Sequence, residues 1–209
     1  MIGIFGGTFD PVHLGHLRAA LEVCEQLGIE DFRWVPAGQP PHRKRPVSPP
    51  EHRLAMLELA LAGQAAFRID ERELRREGPS YMVDTLSEIR SEHPSAPILL
   101  IIGQDSANAL DGWHRWRDLF ALAHLVIMRR SDTPVAYAPD PGAEIEARAV
   151  DTPAALAGAT HGGVYSLPVT ALAIASTDIR ALVRAGRSPR YLTPDAVVRY
   201  IEAQGLYRG

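Results

Sequence analysis

The sequence predicts an α/β fold: a doubly wound, mostly parallel sheet with helices on both faces. Three observations carry this expectation. Short, mostly apolar runs that suit strands recur along the chain, at residues 2–5, 32–35, 67–69, 97–102, 124–128 and 164–167. Stretches with apolar residues at helical spacing separate most of them, the signature of βαβ units. The strongest run, Pro97-Ile98-Leu99-Leu100-Ile101-Ile102, places five apolar residues in succession, as suits a strand covered on both faces.

The first run stops at Gly6-Gly7, which reads as a buried strand entering a tight turn. From about His13 to Leu27, residues Leu14, Leu17, Ala20, Leu21 and Cys24 keep helical spacing, and Gly28 supplies a stop. The second run leads into a loop over residues 36–50, rich in proline and basic residues. Leu54, Leu57 and Leu61 mark a second helix, with Ser48 near its start and Gly63 at its end. A third helix is expected over residues 81–90. Between them, Arg72, Arg75 and Arg76 alternate with Glu71, Glu73 and Glu77, which reads as a solvated charged face. Residues 131–163 are rich in Ala, Pro and Gly and read as an irregular insertion with at most one short strand near 147–150. Closing helices are expected over 176–185 and 194–204, the second with Thr193 as N-cap and Pro194 in the first helical position. The expected organisation is a single domain over 1–209, with the insertion at about 131–163 and a small helical part at about 176–209.

The composition excludes several classes. The 209 residues carry 22 Lys+Arg against 25 Asp+Glu, a formal net charge of −3. That balance lacks the basic footprint of a protein whose main task is gripping DNA or RNA. No apolar run approaches the roughly 20 residues needed to span a bilayer. The N-terminus shows no basic segment followed by a long apolar one, so no export signal is read. Cys24 is the single cysteine, which rules out an intramolecular disulfide and a cysteine-based zinc site. The expected compartment is the cytoplasm, and the expected assembly a monomer or weak homo-oligomer.

Chemistry concentrates in Gly6-Gly7-Thr8-Phe9-Asp10-Pro11-Val12-His13-Leu14-Gly15-His16. Glycines after a first strand let a bulky ligand approach the backbone, at the strand end where such folds bind ligands. A helix starting near His13 offers N–H groups and the positive end of its dipole to phosphate. His13 and His16 would share a face of its first turn, where imidazoles can donate to phosphate oxygens. This is not a P-loop, which needs G-x-x-x-x-G-K-[ST]; the single lysine is Lys44. Ser176 and Thr177 can cap a later helix through their hydroxyls, with Arg180 one turn in as a guanidinium fork suited to phosphate.

The eleven-residue string resembles the signature of the nucleotidylyltransferase superfamily, the H-x-G-H adenylyltransferases. Ile174-Ala175-Ser176-Thr177-Asp178-Ile179-Arg180 resembles its second motif, I-S-x-T-x-x-R. Within the superfamily the chain is most similar to the bacterial nicotinate-nucleotide adenylyltransferases. That similarity includes Pro40-Pro41-His42-Arg43, Gly78-Pro79-Ser80-Tyr81, Ile102-Gly103-Gln104-Asp105-Ser106 and Trp113-His114-Arg115-Trp116. Departures are Ala175 where relatives often carry serine, Met82 where threonine is common, and His114 where an aromatic residue often follows the first tryptophan.

The resemblance implies a Rossmann-like nucleotidylyltransferase fold and the reaction of ATP with nicotinate mononucleotide to give deamido-NAD and pyrophosphate. It implies His16, His13 and Arg180 as the catalytic set. ATP would be bound by Gly7, Thr8, Phe9, His13, His16, Gly103, Asp105, Ser176, Thr177 and Arg180. Nicotinate mononucleotide would be bound by His42, Arg43, Tyr81, Thr85 and Trp113. Asp105 reads equally as an N-cap, and Trp116 reads better as core. Mg²⁺ is expected to travel with the ATP phosphates rather than in a protein cage. Alternatives are the same chemistry on nicotinamide mononucleotide, a non-catalytic nucleotide-binding module, and a metal protein using His13 and His16, for which further ligands are not evident.

Overall fold

The computed structural model describes residues 1–40 and 47–208. Six strands form one sheet: β1 (Ile2–Gly7), β2 (Asp31–Pro36), β3 (Phe67–Ile69), β4 (Ile98–Gly103), β5 (His124–Arg129) and β6 (Val164–Pro168). Their order is β3-β2-β1-β4-β5-β6, and every neighbouring pair is parallel. Chain order reverses between β1 and β4, which pair from Ile2↔Ile98 to Phe5↔Ile101. Connections leave such a point in opposite directions and open a crevice beyond the carboxyl ends of the strands.

The helices are α1 (Leu14–Leu27), α2 (Pro50–Leu61), α3 (Arg72–Arg75), α4 (Met82–Glu92), α5 (Gln104–Asn108) and α6 (Leu119–Leu122) in the first part. They are followed by α7 (Pro139–Ala147), α8 (Pro153–Ala157), α9 (Ser176–Arg184) and α10 (Asp195–Ala203). Two apolar clusters form on the sheet. Leu99 and Ile101 of β4 join Phe5, Trp34, Ala20 of α1, Met56 of α2 and Ile201 of α10. Ile98, Leu100 and Ile102 join Ile2, Ile4, Leu86 of α4 and Phe120 of α6. The unbroken apolar run of β4 thus feeds both layers. Burying each such side chain contributes about 1.5–3 kcal/mol. Helix α1 ends at Gly28 with φ of 61°, a left-handed C-cap that glycine takes without a Cβ penalty.

Four local expectations are corrected. Gly6 and Gly7 remain in the ladder opposite Val35 and Pro36, so the turn begins at Thr8 rather than at the glycines. Residues 131–163 contain α7 and α8, each with a proline in its first turn. Proline there starts a helix because its missing N–H needs no partner. The expected strand is only a bridge, Ala149↔Val164. The N-cap of α10 is Pro194 rather than Thr193, and the Thr193 hydroxyl donates instead to the carbonyl of Val12 at 2.7 Å. Finally, the arginine- and glutamate-rich segment is a solvated face only in part: Arg75 and Glu77 are exposed, but Glu73 and Arg72 are not. Glu73 is 3 % exposed, and Arg72 is held by Asp70 at 2.8 Å and Glu92 at 3.0 Å.

Candidate active site

Residues 8–13 cross the carboxyl edge of the sheet between β1 and α1 as an irregular loop, with a cis Asp10-Pro11 peptide. Four carbonyls of this loop are taken up by side-chain donors from elsewhere. The Thr8 carbonyl accepts from Arg53 Nη1 at 2.9 Å. The Asp10 carbonyl accepts from Arg180 Nη1 at 2.6 Å. Those of Pro11 and Val12 accept from Ser176 Oγ at 2.9 Å and Thr193 Oγ1 at 2.7 Å. Carbonyl oxygens are the negative ends of peptide dipoles, so satisfying them with protein donors lowers the repulsion that an anion at this loop would meet. Phe9 holds a left-handed φ of 49° and is 2 % exposed. Its ring lies 2.8 Å from where a Cβ on Gly7 would stand, so any side chain at residue 7 would force this buried ring to shift.

His13 is the N-cap of α1, with φ of −147°, rather than a member of its first turn. Its Nδ1 accepts from the His16 amide at 3.4 Å. Assigned from that bond, the proton of the neutral ring sits on Nε2, which is left as a donor. The His13 and His16 rings stack with centroids 3.6 Å apart and planes at 25°. A Cβ on Gly15 would lie 3.1 Å from His13 Nδ1, so the glycine between the histidines makes room for the stack. Burial first, and the nearby Arg130 guanidinium second, lower the His13 pKa to about 4, which keeps the ring neutral near pH 7. The helix start itself offers less than expected, because the Leu14 amide donates to Leu192 O at 2.9 Å.

Helix α9 carries the second motif. Its N-cap is Ala175, and neither Ser176 nor Thr177 makes a side-chain cap. The Ser176 hydroxyl commits its proton to Pro11. Arg180 reaches the Asp10 carbonyl and also donates to Thr177 Oγ1 at 3.2 Å. The hydroxyl proton of exposed Thr177 is therefore not used in that bond. The two motifs, far apart in the chain, are bonded to each other.

At the end of β4, Gly103 is the N-cap of α5, and exposed Asp105 stands in its first turn. Asp105 is thus not the cap. Its Oδ1 lies 2.6 Å from where a Cβ on Gly103 would be, so this carboxylate folds over the glycine. Trp113 is half-buried, and Trp116 is core at 7 % exposed. The Tyr81 ring lies 4.3 Å from that of exposed His114. Thr85 is engaged within the protein. It is 0 % exposed, donates to Glu73 Oε1 at 2.6 Å and accepts from Arg76 at 3.1 Å. His42 and Arg43 lie outside the described residues.

Sequence reasoning missed Arg53, Arg130 and Tyr207. Arg53 is 0 % exposed and shares a helical stripe with Met56 and Leu57, a register that could have flagged a buried cation. The Tyr207 hydroxyl donates to Asp10 Oδ1 at 2.7 Å, a contact with no local signal. Among the described residues, no group of three or more His, Cys, Asp or Glu side chains is placed to hold a metal ion, and no helix is long and apolar enough to cross a membrane.

The model of the cytidylyltransferase-like family matches residues 4–182. The chain belongs to this family. Its full-length relatives narrow the resemblance. A Methylococcus capsulatus protein named "probable nicotinate-nucleotide adenylyltransferase" is 55% identical over 208 residues, covering 99% of both chains. A Pseudomonas putida protein of the same name is 44% identical, covering 99% of this chain and 94% of its own. Among solved structures, the Plasmodium falciparum nicotinic acid mononucleotide adenylyltransferase complexed with NaAD superposes with a TM-score of 0.74. It covers 99% of this chain and 96% of its own at 16% identity, a likeness of fold. The fold and the family thus agree with the two motifs.

Proposed function

We propose that this family member is a nicotinate-nucleotide adenylyltransferase. It would join ATP and nicotinate mononucleotide to give deamido-NAD and pyrophosphate, a step of NAD biosynthesis. The observation that carries the reading is the stacked His13–His16 pair, set in a loop whose carbonyls are held by the Arg180 segment. The names of the full-length relatives support the choice of acceptor.

The acceptor's phosphate oxygen is already anionic near neutral pH, so it attacks the α-phosphorus without a general base. The bond from the α-phosphorus to the oxygen bridging to the β-phosphate breaks, and pyrophosphate leaves with that electron pair. What the protein supplies is in-line positioning and stabilisation of charge. In this reading His16 binds the α-phosphate and meets its developing charge, with His13 Nε2–H donating beside it. Arg180 and Thr177 hold the β,γ-phosphates. Ser176 contributes chiefly by clamping the loop through Pro11. Gly7, Thr8 and Phe9 line the phosphate path, and Gly103 and Asp105 receive the adenosine. Trp113 offers a stacking face to the pyridine ring, with Tyr81 beside it and His42 and Arg43 toward the phosphate. Mg²⁺ enters as part of the MgATP substrate. The same reading takes the location to be cytoplasmic, in line with a single cysteine, Cys24, that has no disulfide partner.

A pyrophosphate-release assay with MgATP and a panel of mononucleotides tests this. Turnover with nicotinate mononucleotide, at a higher kcat/KM than with the nicotinamide analogue, is expected. ATP binding without pyrophosphate release on any acceptor would overturn it.

A further inference from the structure

Asp10 joins three segments of the chain. Its Oδ2 accepts from the amides of Val47 at 2.7 Å and Ser48 at 3.3 Å, which lead into α2. Its Oδ1 accepts from the Tyr207 hydroxyl at 2.7 Å. Its backbone carbonyl takes Arg180. Asp10 is 4 % exposed and Tyr207 7 % exposed, so these are charge-assisted bonds away from water, where an unmet carboxylate oxygen is strongly destabilising. Burial, and then the adjacent Asp10 charge, push the Tyr207 pKa well up, so the hydroxyl stays a donor at every working pH.

The tail is built to deliver that hydroxyl. The Leu206 amide donates to Ile201 O at 3.0 Å at the end of α10, and Tyr207 follows with a left-handed φ of 63°. Its ring joins the apolar cluster against which Leu206 also packs. Packing alone would be served by phenylalanine; the hydroxyl has a different use. Asp10 belongs to the phosphate loop by its backbone and reaches the segment 47–48 by Oδ2, and among the described residues its Oδ1 accepts from the tail hydroxyl. We propose that Tyr207 is a positioning residue of the adenylyl-transfer site, its hydroxyl locking Asp10 so that the phosphate loop and the segment at 47–48 keep one spacing. This rests on the adenylyl-transfer reading above.

The test compares Tyr207→Phe with Leu206→Ala, which loosens the same tail without removing a bond to Asp10. Steady-state rates for both substrates are measured well below either thermal midpoint, alongside amide hydrogen exchange at Val47 and Ser48. For Tyr207→Phe, a fall in kcat of about tenfold with KM nearly unchanged is expected, the size of one lost charge-assisted bond felt in the transition state. Exchange at Val47 and Ser48 should accelerate in parallel. Leu206→Ala should lower the midpoint while keeping kcat and those exchange rates. Wild-type kcat in Tyr207→Phe, or an equal kcat loss in Leu206→Ala, overturns the proposal. If the wild type releases no pyrophosphate, the functional reading fails instead, and unchanged exchange in Tyr207→Phe still refutes the locking role.

Discussion

The imidazole of His13 lies flat against that of His16, centroids 3.6 Å apart, and accepts the His16 amide proton through Nδ1. One ring therefore caps the helix through Nδ1 and, in the proposed mechanism, donates to phosphate through Nε2–H. A cap acceptor must be unprotonated at Nδ1, and burial with the Arg130 charge enforces that by lowering the His13 pKa to about 4.

This makes His13 a source of pH-dependent stability. The unfolded ring titrates near 6.5, while the folded one resists protonation down to about 4. Between those values the unfolded state binds more protons, so the stabilising contribution is complete above pH 6.5 and is lost as pH falls toward 4. The gap corresponds to about 3 kcal/mol. His13→Asn keeps a cap acceptor and removes the titration. Its denaturant midpoint should fall less between pH 7 and pH 5 than that of the wild type, and an identical fall would refute the assignment.

His16 carries the developing charge in the proposed mechanism, and its ring also packs against His13, Phe5 and Phe9. His16→Ala should lower kcat by about 10²–10³, the cost of losing one pre-organised donor, with a thermal midpoint that falls but stays above the assay temperature. Near-normal turnover in a folded variant would remove His16 from the mechanism.

Gly15 separates stability from activity. Alanine is a better helix former than glycine by about 1 kcal/mol, yet its Cβ would stand 3.1 Å from His13 Nδ1. Gly15→Ala should therefore keep or raise the thermal midpoint while lowering kcat about tenfold as the stack is displaced. A variant that is both more stable and fully active would show that the stacking distance is unimportant.

What can be read from the sequence here depends on the range of the interaction. The β4 run and the helical spacing of Leu14, Leu17 and Leu21 are local consequences of burial on two faces or one stripe, and they place the sheet and α1 correctly. The two motifs are legible as strings of residues, but the bonds from Ser176 and Arg180 that join them are tertiary. Thr193 before Pro194 has the local form of a cap, but its hydroxyl partner is the Val12 carbonyl, almost the whole chain away. Only tertiary packing decides between those bonds. Glu73 and Arg72 likewise have the pattern of a solvated face until Asp70, Thr85 and Glu92 close around them, and the prolines that suggest a loop over 131–163 instead start α7 and α8.

Arg180 is held by geometry as well as charge. Its Nη1 bonds the Asp10 carbonyl and its Nη2 bonds Thr177, a spread that a single ammonium cannot reproduce. Arg180→Lys should lose about 1–2 kcal/mol of stability from the unpaired carbonyl. It should also lose catalytic efficiency toward ATP by a larger factor than toward the mononucleotide. Equal loss for both substrates would argue against a role on the β,γ-phosphates.

Thr85 provides the sharpest contrast between motif and structure. Its hydroxyl sits fully buried between Glu73 and Arg76, 2.6 Å from one and 3.1 Å from the other, and it is occupied as both donor and acceptor. Burial, outweighing Thr85 and Arg76, raises the Glu73 pKa, so Glu73 depends on its remaining partners. Thr85→Val preserves the side-chain shape but removes that donor, and should cost about 1–3 kcal/mol as a buried acceptor loses its bond. If the hydroxyl serves this network rather than the ligand, KM for nicotinate mononucleotide should stay within about twofold, well under the tenfold that 1.4 kcal/mol of lost binding would give. A selective rise in that KM, with the midpoint unchanged, would return Thr85 to the binding site and overturn the structural assignment.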